Sequence, residues 1–243
     1  MKIIFWPLFL FVLLSCAHDK NRVARHPLTG ATLWMQNASE VKALTYQAYN
    51  LAKKKIESEY TEEKPQAVIL DVDETVLDNS SYQARMIFEN KPYNKKDWNA
   101  WVRQKKAWKV SGALEFARFC ESRNVLVYYI TNRYNETFKS TYENLESLGF
   151  PITKDTLIMR KGESSSKISR RESLQKKYEI LALVGDNLSD FSGIFENKSS
   201  SERMALVHKL RKKWGEKFFI LPNPLYGDWM QSLGDDFSWK DQK

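Results

Sequence analysis

Sulfur and imidazole are scarce in this chain, which holds two cysteines and three histidines among 243 residues. Cys16 lies in the N-terminal leader and Cys120 stands alone beyond it, so no intramolecular disulfide can staple the domain. Cys120 ends the run Ala113-Leu114-Glu115-Phe116-Ala117-Arg118-Phe119-Cys120, which has the pattern of a buried helix face. The chain's other motifs offer no histidine to activate that thiol. His18 and His26 fall close to the N-terminus and only His208 within the domain, which weakens a haem-binding reading. The apolar run at residues 3–14 is too short to span a bilayer. Internal repeats, extended low-complexity segments and nucleic-acid reading modules are all lacking, so no nucleic-acid polymer is expected as a partner. The formal net charge of +8 is spread over Lys53-Lys54-Lys55, Lys95-Lys96, Lys105-Lys106 and Arg211-Lys212-Lys213. Such runs suit solvated helix faces, and they also attract anionic substrates or lipid headgroups.

What is present begins with a leader. Lys2 and the apolar run at 3–14 have the shape of a signal-peptide core. Leu13-Leu14-Ser15-Cys16 resembles a lipobox, which is cut before the cysteine and lipidated on its thiol. Several acyl chains anchor stably because their transfer energies sum. The alternative is an ordinary secretory signal with an incidental cysteine. The lipobox reading gives a signal peptide at 1–15, a polar tether at 16–36 and a folded domain at 37–243.

Within the domain, Asn37 and Glu40 sit at capping-box spacing, with Val41, Leu44, Ala48 and Leu51 on one helical face. Three apolar runs, at 67–70, 125–130 and 180–184, each end in polar residues: Asp71, Thr131-Asn132-Arg133 and Gly185-Asp186-Asn187. Further strands are expected at 156–159 and 218–221, and a helix at 136–148 stopped by Gly149 and Pro151. The triplets Ser164-Ser165-Ser166 and Ser199-Ser200-Ser201 are expected as loops. Short apolar strands alternating with helices argue an α/β fold around a parallel sheet covered on both faces. Ligands of such sheets bind beyond the carboxyl ends of the strands, so the three polar ends converge on one crevice. An aromatic and basic segment at about 80–112, with Tyr82, Phe88, Tyr93, Trp98, Trp101 and Trp108, is longer than a crossover needs and forms a smaller, mainly helical side lobe.

The chemistry starts at Val68-Ile69-Leu70-Asp71-Val72-Asp73-Glu74-Thr75. Strand alternation sends Asp71 and Asp73 to the same side, where two carboxylates repel unless a hard divalent cation offsets them. DxD alone also fits a strand followed by an acidic turn. A second carboxylate pair, Asp186 and Asp190 after Gly185, reaches the same crevice, and four carboxylates at one sheet edge make sense around a cation. Thr131 and Asn132 supply a hydroxyl and backbone N–H groups where a phosphate could sit, and Lys167 supplies a point charge.

These four ordered motifs resemble those of the haloacid dehalogenase (HAD) superfamily, whose core is a Rossmann-like parallel sheet. Within it the chain most resembles the class C nonspecific acid phosphatases of subfamily IIIB, in their bacterial outer-membrane lipoprotein and 5′-nucleotidase branch. The likeness extends to Leu221-Pro222-Asn223 and Tyr226-Gly227-Asp228-Trp229. It implies Asp71 as the nucleophile that forms an aspartyl-phosphate and Asp73 as the acid/base. It further implies Mg²⁺ on the Asp71 and Asp186 carboxylates and the Asp73 backbone carbonyl, with Asp190 orienting that shell. Thr131, Asn132 and Lys167 would hold the phosphoryl oxygens. Relatives that act as 5′-nucleotidases line the site with aromatics, which nominates Tyr226, Trp98 and Tyr93 for stacking; Trp98 and Trp101, three apart on a helix, suit core packing equally. The resemblance places the protein at the bacterial cell envelope, anchored through lipidated Cys16 and acting on small phosphomonoesters; a homodimer is allowed, and the sequence sets no oligomeric state. Two alternatives stay open: a surface lipoprotein that binds haem or a host ligand, and a phosphotransferase or phosphotyrosine phosphatase using the same residues.

Overall fold

The computed structural model describes residues 26–233 together with Val23; Cys16 and the 1–15 leader lie outside the described residues. Helices α1 (Thr29–Asn37) and α2 (Ser39–Glu59) lead into β1 (Gln66–Leu70). A short ribbon of β2 (Leu77–Asp78) and β3 (Trp108–Lys109) brackets α3 (Ser80–Glu89) and α4 (Lys95–Gln104). The core continues through α5 (Ala113–Ser122), β4 (Leu126–Tyr134), α6 (Phe138–Ser147), β5 (Leu157–Arg160), α7 (Ile168–Gln175) and β6 (Glu179–Gly185). It closes with α8 (Ser200–Lys209), β7 (Phe218–Ile220) and α9 (Asp228–Gln231). The main sheet is parallel throughout, in the order β5-β4-β1-β6-β7.

Side-chain alternation along β1 builds the layers. Val68 and Leu70 enter a core completed by Tyr49, Ala52 and Ile56 of α2 and by Phe116, Ala117 and Cys120 of α5. Ala67 and Ile69 face the opposite side, with Leu174 of α7, Leu183, Phe191 and Phe218. All five β1 residues are buried, which is why 67–70 is a continuous apolar run rather than an alternating one. Burial also pushes the Cys120 thiol up to about 12, as an inert core group.

Four local expectations are corrected. The stretch expected as tether is helical from Thr29, and Asn37 closes α1 by donating from Nδ2 to the Leu33 carbonyl at 2.9 Å. It therefore caps nothing; α2 begins after an extended Ala38 without a side-chain cap. Leu44 and Leu51 are exposed, while Thr45, Tyr49, Ala52 and Ile56 join Val41 and Ala48 on the buried face of α2. The triplet at 199–201 is a helix start rather than a loop, because Ser199 and Glu202 form a reciprocal capping box on α8. No helix among the described residues is long and apolar enough to cross a membrane.

The chain runs from β1 outward through β4 to β5, then crosses to β6 on the other side of β1. The crevice between neighbouring strand ends at such a reversal is the natural ligand position of an open parallel sheet. Asp71, Thr131, Asp186 and the segment leading into α7 all meet there.

Candidate active site

β1 ends at Leu70, and its register carries one residue further: Asp71 N–H donates to the Val184 carbonyl at 3.0 Å. That bond fixes the Asp71 backbone while its carboxylate enters the crevice. Lys167, at the N-cap of α7, reaches in from the far side; its Nζ donates to Asp71 Oδ1 and, at 2.7 Å, to Asp190 Oδ1. Asp71, Lys167 and Asp190 are all buried. Oxygens of Asp71, Asp186 and Asp190 lie within 4.8 Å of one another.

The electrostatics of this cluster are one-sided. Burial pushes the Asp71 carboxyl up, Lys167 opposes the rise, and repulsion from Asp190 and Asp73 adds to it. Burial likewise raises Asp186, with repulsion from Asp71 and Asp190. Burial lowers Lys167, but its two carboxylate partners outweigh this and hold it charged. Three carboxyl groups against one ammonium leave an excess of acidic oxygen, and burial and mutual repulsion keep Asp71 and Asp186 from ionising freely without a cation. An oxygen donor set with that excess suits a hard divalent cation.

Gly185 lets these groups approach. A Cβ there would lie 2.5 Å from Asp190 Oδ2 and 2.6 Å from Asp190 Cβ. Asp190 in turn is locked by a capping box, accepting from Asn187 N–H at 3.0 Å while its own N–H donates to the Asn187 carbonyl at 2.9 Å. Asp186 is steadied by Asn223 Nδ2 at 2.6 Å and by Thr75 Oγ1 at 3.4 Å.

Asp73 does not join the acidic trio, which corrects the expectation of four carboxylates around one cation. The strand has already ended, and a turn takes over in which Val76 and Leu77 N–H groups both return to the Val72 carbonyl, at 2.9 and 2.8 Å. Glu74 takes the left-handed conformation there, at φ +56°. Asp73 Oδ1 instead accepts from Arg133 Nε at 2.9 Å and from Asn79 Nδ2 at 3.0 Å, with Arg133 NH2 at 2.8 Å.

Thr131 and Asn132 are part of β4, which runs through to Tyr134 rather than ending at Ile130. Thr131 is fully buried; its hydroxyl accepts from Arg133 N–H at 3.0 Å and donates to Asp73 Oδ2 at 3.4 Å. Asn132 Oδ1 accepts from Arg170 NH2 at 2.7 Å, and Arg170 NH1 donates to the Thr131 carbonyl at 2.6 Å. Arg170 therefore ties the end of β4 to the loop before α7, where it also meets the Ser166 carbonyl at 2.9 Å.

The aromatic candidates differ in exposure. Trp98 is packed inside the lobe, 8% exposed, edge-on to Tyr82 at 5.1 Å between ring centroids. Tyr93 is 59% exposed at the lobe surface, 6.3 Å from Trp98. Tyr226 is half-buried, and its carbonyl accepts from Trp229 Nε1 at 3.1 Å. A polar cleft of about 610 Å³, with Asn132, Ser165, Ser189, Arg203 and Asp228 in its walls, is lined by none of the three.

Arg133, Asn79, Arg170 and Asn223 are the residues that the motifs alone left unassigned. Arg133 stood in the quoted Thr131-Asn132-Arg133 stretch, and Arg170 lies one helical turn after Lys167 on α7. Asn79 carried no signal, since its role depends on the turn that follows Asp73.

Comparisons with known proteins bear on the family and the fold. The family model described as HAD superfamily, subfamily IIIB (acid phosphatase), matches residues 21–229. A class C acid phosphatase from Bacillus anthracis is 41% identical, with a TM-score of 0.80 covering 87% of this chain and 90% of that one. The same class of enzyme from that organism with tungstate bound matches at 40% identity and a TM-score of 0.80, with the same coverage. A stem 31 kDa glycoprotein of Glycine max is 26% identical over 164 residues, which are 65% of this chain; the match spans 58% of that protein's length. The parallel sheet, the acidic trio at its reversal point and the family match over residues 21–229 lead to one assignment: the chain belongs to subfamily IIIB of the HAD superfamily, the acid phosphatase family.

Proposed function

We propose that the protein hydrolyses small phosphomonoesters, 5′-nucleotides among them, through an aspartyl-phosphate on Asp71. The observation that carries this reading is Asp71 buried at the strand end against Lys167, with Asp186 and Asp190 beside it and Asp73 held apart. A carboxylate oxygen of Asp71 attacks phosphorus, the bond to the leaving oxygen breaks, and the Asp73 carboxyl gives that oxygen its proton. Water then attacks the phosphoryl group, the bond to Asp71 breaks, and the released proton returns to Asp73. Lys167 and the Thr131 hydroxyl stabilise the charge on the phosphoryl oxygens. The carboxylates of Asp71, Asp186 and Asp190 would hold a divalent cation, for which Mg²⁺ is the proposed ion. When bound, it supplies Lewis-acid neutralisation of the phosphoryl oxygens. Tungstate in the B. anthracis relative is a tetrahedral oxyanion of the kind such a pocket takes.

For the leaving group, Tyr93 and Tyr226 are the aromatic faces we assign to base stacking. We place the enzyme at the cell envelope through lipidation of Cys16, which rests on Leu13-Leu14-Ser15-Cys16. Membrane partition of the wild type, lost in Cys16→Ser, is the check on that placement. The central test is phosphate release from a panel of nucleotides and phosphotyrosine, with and without EDTA, for wild type and Asp71→Asn. The expected result is nucleotide hydrolysis abolished by EDTA and by the substitution; full activity in either case sinks the proposal.

A further inference from the structure

Carboxylates in acid/base work need one oxygen free to exchange a proton, and the two oxygens of Asp73 are treated unequally. Oδ1 faces three donors: Arg133 Nε at 2.9 Å, Arg133 NH2 at 2.8 Å and Asn79 Nδ2 at 3.0 Å. Among the described residues Oδ2 faces only the Thr131 hydroxyl, at 3.4 Å. A carboxylate oxygen has two lone pairs, so Oδ1 is saturated by charge-assisted bonds and Oδ2 is spare.

The clamp on Oδ1 is itself held rigidly. Arg133 is 1% exposed, so leaving it unpaired would strand a buried charge. Its NH1 donates to Thr141 Oγ1 on α6 at 3.3 Å, and its NH2 donates to Asn79 Oδ1 at 3.3 Å. Asn79 Oδ1 also accepts from Trp101 Nε1 of α4 at 2.9 Å, and the Asn79 N–H donates to Glu74 Oε1 at 2.8 Å. Two donors on its oxygen and two acceptors near its nitrogen, Asp73 Oδ1 and the Leu77 carbonyl, settle which way the amide points.

We propose that Asn79 and Arg133 are positioning residues for proton transfer, clamping Asp73 by Oδ1 so that Oδ2 alone serves the leaving group, with Trp101 anchoring the clamp to the side lobe. This rests on the acid role assigned to Asp73 above. The lobe thereby does more than border the crevice: a side chain of α4 fixes the amide that fixes the acid.

The test exploits leaving groups. An alkoxide needs the proton to depart, whereas p-nitrophenolate leaves without it. The quantity to compare is kcat/KM, which covers the steps up to departure of the alcohol and omits later hydrolysis of the intermediate. Asn79→Ala should lower kcat/KM for an alkyl phosphate by about 10- to 100-fold, part of the 10²–10⁴ that general acid catalysis supplies. For p-nitrophenyl phosphate the loss should stay within about threefold. Arg133→Lys, which returns one donor but not the fork, should fall between Asn79→Ala and wild type on the alkyl substrate. Should Asn79→Ala fail to fold, Asn79→Asp keeps the shape and the acceptor for Trp101 while removing the donor to Asp73, and the same selective loss is expected. Equal losses on both substrates, or none, overturn the proposal. Asp73→Asn separates the two levels. A selective loss there with none in the Asn79 variants rejects the clamp and keeps the acid, whereas an equal loss in Asp73→Asn rejects both.

Discussion

Gly185→Ala is the smallest change that should disable the site. The backbone of Gly185 accepts an alanine, since its φ is not left-handed, but the new Cβ would stand 2.5, 2.6 and 2.8 Å from Asp190 Oδ2, Cβ and Cγ. Ordinary contact needs about 3.5 Å, so a separation of roughly 1 Å must be found. β6 cannot supply it: Gly185 pairs with Ile220, and its carbonyl accepts from Leu221 N–H at 2.8 Å. Asp190 must retreat instead, and its Cβ is part of the obstruction, so no rotamer change relieves the clash. A shift of that size breaks the 2.7 Å bond to Lys167. Overpacking costs about 1–3 kcal/mol and a hydrogen bond to a charged group about 1.5–3 kcal/mol, so the loss is about 2.5–6 kcal/mol. Misplacement by 1 Å is worth about 10²-fold in rate, the drop expected in kcat/KM for phosphate release. Gly30→Ala is the control, because nothing lies within 4 Å of its Cβ and it sits in α1, where alanine should add about 0.5–1 kcal/mol. Thermal melts and phosphate release on the two variants decide the matter. A Gly185→Ala protein with wild-type kcat/KM and a Tm within about 2 °C of wild type would refute the packing argument.

Asp71 and Asp186 should make the metal-free protein lose stability as pH rises. Asp71 is pushed up to about 7 from 3.8, so between those values the native state holds a proton that the unfolded chain has released. Stability therefore falls through that window, by on the order of a few kcal/mol. Melts in EDTA should show a higher Tm at pH 5 than at pH 7.5, with the slope reduced by Mg²⁺ and by Asp71→Asn; a Tm that rises with pH contradicts the cluster. Arg170→Ala should cost about 2–4 kcal/mol in urea unfolding, since it frees the carbonyls of Thr131 and Ser166 and the Asn132 amide oxygen. It should also lower phosphate release, and an unchanged urea midpoint would show that the latch carries nothing. Cys120 is buried, with its thiol pushed up to about 12, so a thiol-reactive dye should label the protein only in denaturant. Labelling of the native protein would place that helix face elsewhere.

The sheet was legible because its strands are buried on both faces. Residues 67–70 and 180–184 are unbroken apolar runs, and the structure extends them to Gln66–Leu70 and Glu179–Gly185. The converging polar ends were legible for the same reason, since a parallel sheet leaves its ligands only one edge. The misjudged details are those that local pattern cannot decide. Asn37 has a capping residue's chemistry, but the preceding chain is helical and captures its side chain. Asp71 and Asp73 alternate as if in a strand, but the strand has ended, and the left-handed turn at Glu74 gives Asp73 to Arg133. Arg133 and Asn79 are 54 residues apart, and nothing in either neighbourhood announces the other.

The position of β1 has a consequence for how the chain is made. Its partner on one side is β4, which begins at Leu126, but its partner on the other side is Glu179–Gly185, which begins 113 residues after Gln66. Until that segment arrives, the strand leading to Asp71 is a sheet edge of four apolar residues after Gln66 with open hydrogen-bonding groups, a template for unwanted pairing. Lys167, Asp186 and Asn223 also arrive late, so a nascent or truncated chain has a nucleophile without its cation-binding partners. Phosphate release is therefore a late reporter of folding, and the slow step should be the docking of β6 against β1.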